Sequence, residues 1–149
     1  MRDPEMFLKP ELIPQFKEGC KKIGHTVIVT SVDRTFQEQA ALWFQGRHPL
    51  EEVNQLRKFA KLPQITEIQN RIVTWTMNSK HIPDETGKSR AFDFAIIRDS
   101  KICWSLKADV DTDGVSDYLE CAVIGEGLGL KSGRSFRNPD YPHLELING

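Results

Sequence analysis

In the stretch SKHIPDETGKSRAFDFAI, Ser79–Ile96, a polar loop carrying His81 runs into a hydrophobic strand with Asp93 at its centre. Side chains alternate between the two faces of a strand. Phe92, Phe94 and Ile96 therefore share a core face, while Ala91, Asp93 and Ala95 share the other, where two small residues leave room beside the carboxylate. An ionised carboxylate out of water is costly unless it is paired, hydrogen-bonded or bound to a metal. The strand alone is equally compatible with a structural role, an arginine partner or a loop cap, and with a site.

The C-terminal DYPHLEL has the same character: His143 and Glu145 fall on one face, Leu144 and Leu146 on the other. A lone strand histidine is more often a hydrogen-bonded structural residue than a ligand. Together, however, His81, Asp93 and His143 offer two imidazoles and one carboxylate, a three-ligand set for catalytic zinc that leaves a fourth position for water. Such a site lowers the pKa of bound water to about 7. The three residues come from separate segments, so their spacing is not diagnostic by itself.

Around these two strands the chain alternates helices and strands. Leu12, Ile13, Phe16 and Cys20 recur with a helical period, and Gly24 stops that helix. HTVIVTS is rich in β-branched residues and predicts a strand. TFQEQAALWFQG predicts a helix with Thr35 as N-cap and Glu38 completing a capping box; Gly46 ends it. LEEVNQLRKFA is a further short helix within a polar excursion over residues 47–71. RIVTWTM is a strand candidate, SDYLECAVIGEGLGL a helix, and YPHLELI a last strand. Without a regular βαβ rhythm, the pattern favours a small α+β domain.

The 149 residues suffice for one domain spanning 1–149, with no length for a separate wall-binding domain. Twenty basic and twenty-one acidic side chains give a net charge of -1, which removes any global field for nucleic acid or an anionic membrane. MRDPEMFLKPELIP lacks the apolar core of a signal peptide, and runs such as FAII are too short to span a bilayer. A protein that is cytoplasmic where it is made is the expectation, with monomer as the default state. Cys20, Cys103 and Cys121 form no CxxC and are expected as free thiols.

A second metal signal lies in DVDTDGVSDYLE, Asp109–Glu120. Asp109, Asp111, Asp113, Asp117 and Glu120 occupy positions 1, 3, 5, 9 and 12 of an EF-hand calcium loop, with Gly114 at position 6 and the Val115 carbonyl at position 7. Ser116 departs from the usual apolar residue at position 8. The plain alternative is a solvated acidic turn, with Ser116 capping the following helix.

The combination SxH…AxDxA followed by DxPH resembles the zinc peptidases that cleave peptidoglycan stem peptides: the D-alanyl-D-alanine metallopeptidases and the phage L-alanyl-D-glutamate endopeptidases, whose fold hedgehog domains share. TSVDRTFQEQAALWFQGR and EGLGLKSGRSFRNPDYPHLEL extend the resemblance over most of residues 25–147. It implies a small antiparallel sheet with flanking helices, and zinc on His81, Asp93 and His143. It implies Asp140 as general base and acid, Arg34 as the oxyanion partner, and Ser79 of the first motif as a substrate contact. Glu145 ranks behind Asp140 as a base and is expected as a supporting partner. The loop between His81 and Asp93 is longer than the family's usual spacing. Some phage members carry a loop like 109–120.

The activity so implied is hydrolysis of a stem-peptide bond, most like that of an L-alanyl-D-glutamate endopeptidase. An enzyme of this kind from a phage or prophage reaches the wall as an endolysin, after another protein opens the membrane. The alternatives are a D-alanyl-D-alanine carboxypeptidase or dipeptidase, and a non-catalytic zinc- and calcium-binding module.

Overall fold

The computed structural model describes residues 2–105 and 116–147. Its elements run α1 (Leu12–Lys22), β1 (Thr26–Ser31), α2 (Phe36–Phe44), α3 (Leu50–Phe59), β2 (Ala91–Arg98), β3 (Lys101–Cys103), α4 (Asp117–Gly127), β4 (Leu130–Gly133) and β5 (Asp140–Leu146). This is the expected α+β class, with one antiparallel sheet ordered β1-β2-β5-β4 and β3 paired to β2.

β2 is the organising strand. One edge pairs with β1, while the other pairs with β5 over Ala91–Asp93 and with β3 over Ile96–Arg98. Its predicted core face is borne out: Phe92, Phe94 and Ile96 are buried beneath α1 and α4. Phe16 of α1 meets Phe92 and Phe94 edge-on, with ring centroids 5.7 and 4.9 Å apart. Such pairs add about 0.5–1.5 kcal/mol beyond the area they bury. Tyr118 of α4 closes the layer and donates its hydroxyl to the Cys103 carbonyl at 2.6 Å. Ala91 and Ala95 are buried too, so the open space expected beside them lies only around Asp93.

Register sets the site. Asp93 pairs directly with His143 across β2 and β5, and with Ser31 across β1. Directly opposed residues share one face, so the aspartate and the histidine stand side by side on the face away from the aromatic core. At the turn end of β4, opposite Asp140, Gly133 is obligatory. A Cβ there would collide with the Asp140 carbonyl oxygen, and the close approach places Asp140 at the head of its strand.

The capping box on α2 is present: Thr35 Oγ1 accepts from Glu38 N–H at 3.0 Å, and Glu38 accepts from Thr35 N–H at 3.1 Å. RIVTWTM is not a strand. Residues 71–77 are irregular because side chains of α2 and the turn after it hold the excursion where a ladder partner would. Gln39 donates to Thr74 Oγ1 and the Thr76 carbonyl, Gln45 to the Gln69 carbonyl, and Arg47 to the Thr74 carbonyl.

The enlarged loop after His81 is closed at its neck, where Arg90 N–H donates to the Lys80 carbonyl at 2.8 Å. Within it, Asp84 accepts from Arg90 Nε at 2.7 Å. Extra residues thus bulge outward without moving His81 from β2. The three cysteines are free thiols. No helix among the described residues is long and apolar enough to cross a bilayer.

Candidate metal centre

His81 is held by its backbone as well as by its ring. Arg34 N–H donates to the His81 carbonyl at 2.8 Å, and His81 Nδ1 lies 2.7 Å from the Val32 carbonyl. A carbonyl only accepts, so Nδ1 carries a proton there, and Nε2 is the nitrogen that faces Asp93. His143 is fixed the other way round. Its Nε2 lies 2.9 Å from Glu145 Oε1, which turns Nδ1 toward Asp93.

The result is a convergence on one oxygen: Asp93 Oδ1 is 3.2 Å from His81 Nε2 and 3.2 Å from His143 Nδ1. The rings stand at 73° with centroids 5.2 Å apart. Bonds of about 2.0–2.1 Å to tetrahedral zinc set neighbouring ligand atoms roughly 3.3 Å apart. Both nitrogen–oxygen separations match that spacing, and all three donor atoms lie within 4.8 Å of one another, so the set can hold such an ion. Their chemistry fits too, since each imidazole has its second nitrogen tied to an acceptor, as metal-bound histidines do.

Electrostatics favour a cation here. Burial pulls the Asp93 carboxyl upward, but the His81 and His143 imidazoles outweigh it and hold the group well below the usual carboxylate range. Burial opposes charge on His143 as well, yet its bonds to Asp93 and Glu145 push it up to about 9. A metal binding at this point displaces that proton. Glu145 is shifted to about 2, because His143 and Lys80 overcome the cost of its burial. Lys80 Nζ sits 2.7 Å from Glu145 Oε2. Both Glu145 oxygens are thus engaged, one by His143 and one by Lys80, and Glu145 is a supporting partner. Glu145→Gln should weaken zinc affinity about ten- to a hundredfold, checked by competition with a chromophoric chelator.

Asp93 Oδ2 faces Arg34 Nη2 at 3.3 Å, and Arg34 Nη1 donates to Gln39 Oε1 at 3.0 Å. Asp93 thus has the arginine partner on one carboxylate oxygen and the two imidazoles on the other. Gln39 was invisible as a functional residue in sequence. It is fully buried and joins Arg34 to the Thr74–Thr76 segment, and only its polar amide among buried neighbours would have marked it. Ser79 Oγ accepts from His81 N–H at 3.1 Å. Phe136 packs on the His143 ring at a centroid distance of 5.3 Å.

These residues form part of the wall of a cleft of about 1020 Å³, bounded also by Ile72–Thr76, Trp104 and Arg137–Asp140. Asp140 lines it as an exposed residue, and its carboxyl is raised above the ordinary value, first by surrounding protein and then by the charge of Asp93. With the residue open to solvent, the neighbouring charge is the firmer cause. The geometry brings together all six residues expected here: His81, Asp93, His143, Asp140, Arg34 and Ser79.

The calcium expectation falls mostly elsewhere. Asp109, Asp111, Asp113 and Val115 lie outside the described residues. Asp117 and Glu120, at the start of α4, stand beside His25: Glu120 Oε1 is 3.1 Å from His25 Nε2, and Asp117 Oδ2 accepts from Arg98 at 3.0 Å.

No protein-family model matches the chain. Among curated proteins, it is 30% identical over 133 residues to the peptidoglycan L-alanyl-D-glutamate endopeptidase CwlK of Bacillus subtilis (strain 168). The chain belongs to this peptidase family. The alignment covers 88% of the chain and 66% of that relative, just under two thirds of its length. Membership of this peptidase family accords with the cleft's donor set, with the acid Asp140 and with Arg34.

Proposed function

We propose that the protein is a zinc-dependent peptidoglycan hydrolase that cleaves the stem peptide between L-alanine and D-glutamate. The observation that carries this reading is the meeting of His81 Nε2, Asp93 Oδ1 and His143 Nδ1 at one point beside Asp140 in an open cleft. The named activity of the Bacillus subtilis relative supports the choice of bond.

When bound, zinc supplies Lewis acidity and a water whose pKa falls to about 7. Asp140, with its raised affinity for a proton, takes one from the attacking water and returns it to the leaving amine. Arg34 spends two donors on Gln39 and Asp93 and keeps the rest of its guanidinium for the tetrahedral oxyanion. The bond to Gln39 holds it in place, so no reorganisation accompanies the charge. Ser79, whose oxygen already accepts from His81 N–H, has its hydroxyl proton available for a substrate carbonyl.

The test is mass spectrometry of fragments released from purified peptidoglycan, with and without a chelator. The reading expects lactyl-L-alanine on the glycan and peptides beginning with D-glutamate, both lost on chelation. Release of terminal D-alanine alone would move the assignment to the carboxypeptidases, and no release would leave a binding module. The setting that goes with this reading is cell-wall degradation by a phage or prophage endolysin. Calcium in the 109–120 loop belongs to the same proposal as a stabilising ion, and it rests on the spacing of the acidic residues in that stretch of sequence. Calcium should raise the Tm of the zinc-loaded protein, and Glu120→Gln should remove the rise.

A further inference from the structure

Among the described residues two arginines line the cleft, and they differ in commitment. Arg34 is bound to Asp93 and Gln39. Arg137 is exposed and makes no hydrogen bond or ion pair with another described residue. An arginine aimed into a cleft without a partner is an unfilled, bidentate receptor for a carboxylate.

Its mounting is rigid. Arg137 sits in the turn between β4 and β5, three residues before Asp140. That turn is fixed by Phe136 N–H to the Gly133 carbonyl at 3.1 Å, by Arg134 N–H to Ser132 Oγ at 3.1 Å, and by Ser135 Oγ to the Ser132 carbonyl at 3.1 Å. Phe136, its neighbour, rests on the ring of His143. The guanidinium is thus presented from the segment that also supplies the general base and a metal ligand. The backbone beneath it is thus held, and the unpartnered side chain orders when its anion arrives.

The chemistry of the proposed bond says what anion arrives there. In L-alanyl-D-glutamate linked onward through its γ-carboxyl, the α-carboxylate stays free, one carbon from the nitrogen that leaves. Asp140 must reach that nitrogen, so the carboxylate has to lie close to Asp140. We propose that Arg137 receives this α-carboxylate and makes the enzyme selective for unamidated D-glutamate over D-isoglutamine. The inference rests on the function proposed above and adds to it the substrate's charge state.

The test compares two stem peptides that differ only in the D-glutamate α-carboxylate or α-carboxamide, cleaved by zinc-loaded wild type, Arg137→Gln and Arg137→Lys. Wild type should favour the acid by roughly tenfold to a hundredfold in kcat/KM, the range of one charge-assisted contact. Arg137→Gln should bring the ratio near one, chiefly by slowing the acid, while Arg137→Lys keeps part of it. Cleavage of the amide by the glutamine variant shows that fold and metal site are intact. Equal losses on both peptides, or a wild type indifferent to amidation, would overturn the inference. A wild type that cleaves neither peptide removes the parent reading and this one with it.

Discussion

Asp140→Asn is expected to lower hydrolysis of purified peptidoglycan by about a hundred- to ten-thousandfold, the usual contribution of a positioned general base. The asparagine keeps the size and placement of the side chain at the head of β5 and removes only its ability to accept a proton. Asp140 is not among the three converging donors, so zinc content should stay at one equivalent. That separation is the informative part. Loss of activity with the metal retained assigns Asp140 to proton transfer, whereas joint loss would make it a ligand or a structural residue. Glu145, the rival on sequence grounds, cannot substitute because His143 and Lys80 hold both its oxygens.

His81→Ala should have the opposite signature: zinc lost first, and activity with it. The ring is 2% exposed and supplies one of three donor atoms. Its removal should weaken zinc binding by more than the roughly ten- to hundredfold that loss of a supporting partner costs. It also leaves the Val32 carbonyl without the Nδ1–H that now reaches it at 2.7 Å. An orphaned buried acceptor costs about 1–3 kcal/mol, so the metal-free variant should melt below the metal-free wild type. Titration with zinc and thermal unfolding of both apo proteins check the two effects separately.

Much of this site was legible in sequence because it rests on local patterns. Alternation in RAFDFAII and DYPHLEL placed Asp93 and His143 away from the aromatic core, and the register that joins them follows once both strands enter one sheet. The capping box on α2 and the free cysteines were likewise local signals. What failed was non-local. RIVTWTM has the β-branched and aromatic content of a strand, but Gln39 and Arg47 take up backbone groups that a ladder would have used. β3 and β4, three and four residues long, are too short for alternation to register. Gln39 reads like any helix glutamine until tertiary packing buries it against Arg34. Nor does any spacing reveal that Asp93 divides its two oxygens between a cation and a pair of imidazoles, since that division depends on Arg34 arriving from 59 residues away.

The convergence of three distant residues on one ion is most directly tested by X-ray absorption at the zinc edge of the stoichiometrically loaded protein. The account predicts a nitrogen and oxygen shell at about 2.0–2.1 Å, with the outer scattering of two imidazoles, and loss of one imidazole in His143→Ala. Zinc held by sulfur at about 2.3 Å, or a spectrum that the His143 substitution leaves unchanged, would contradict it.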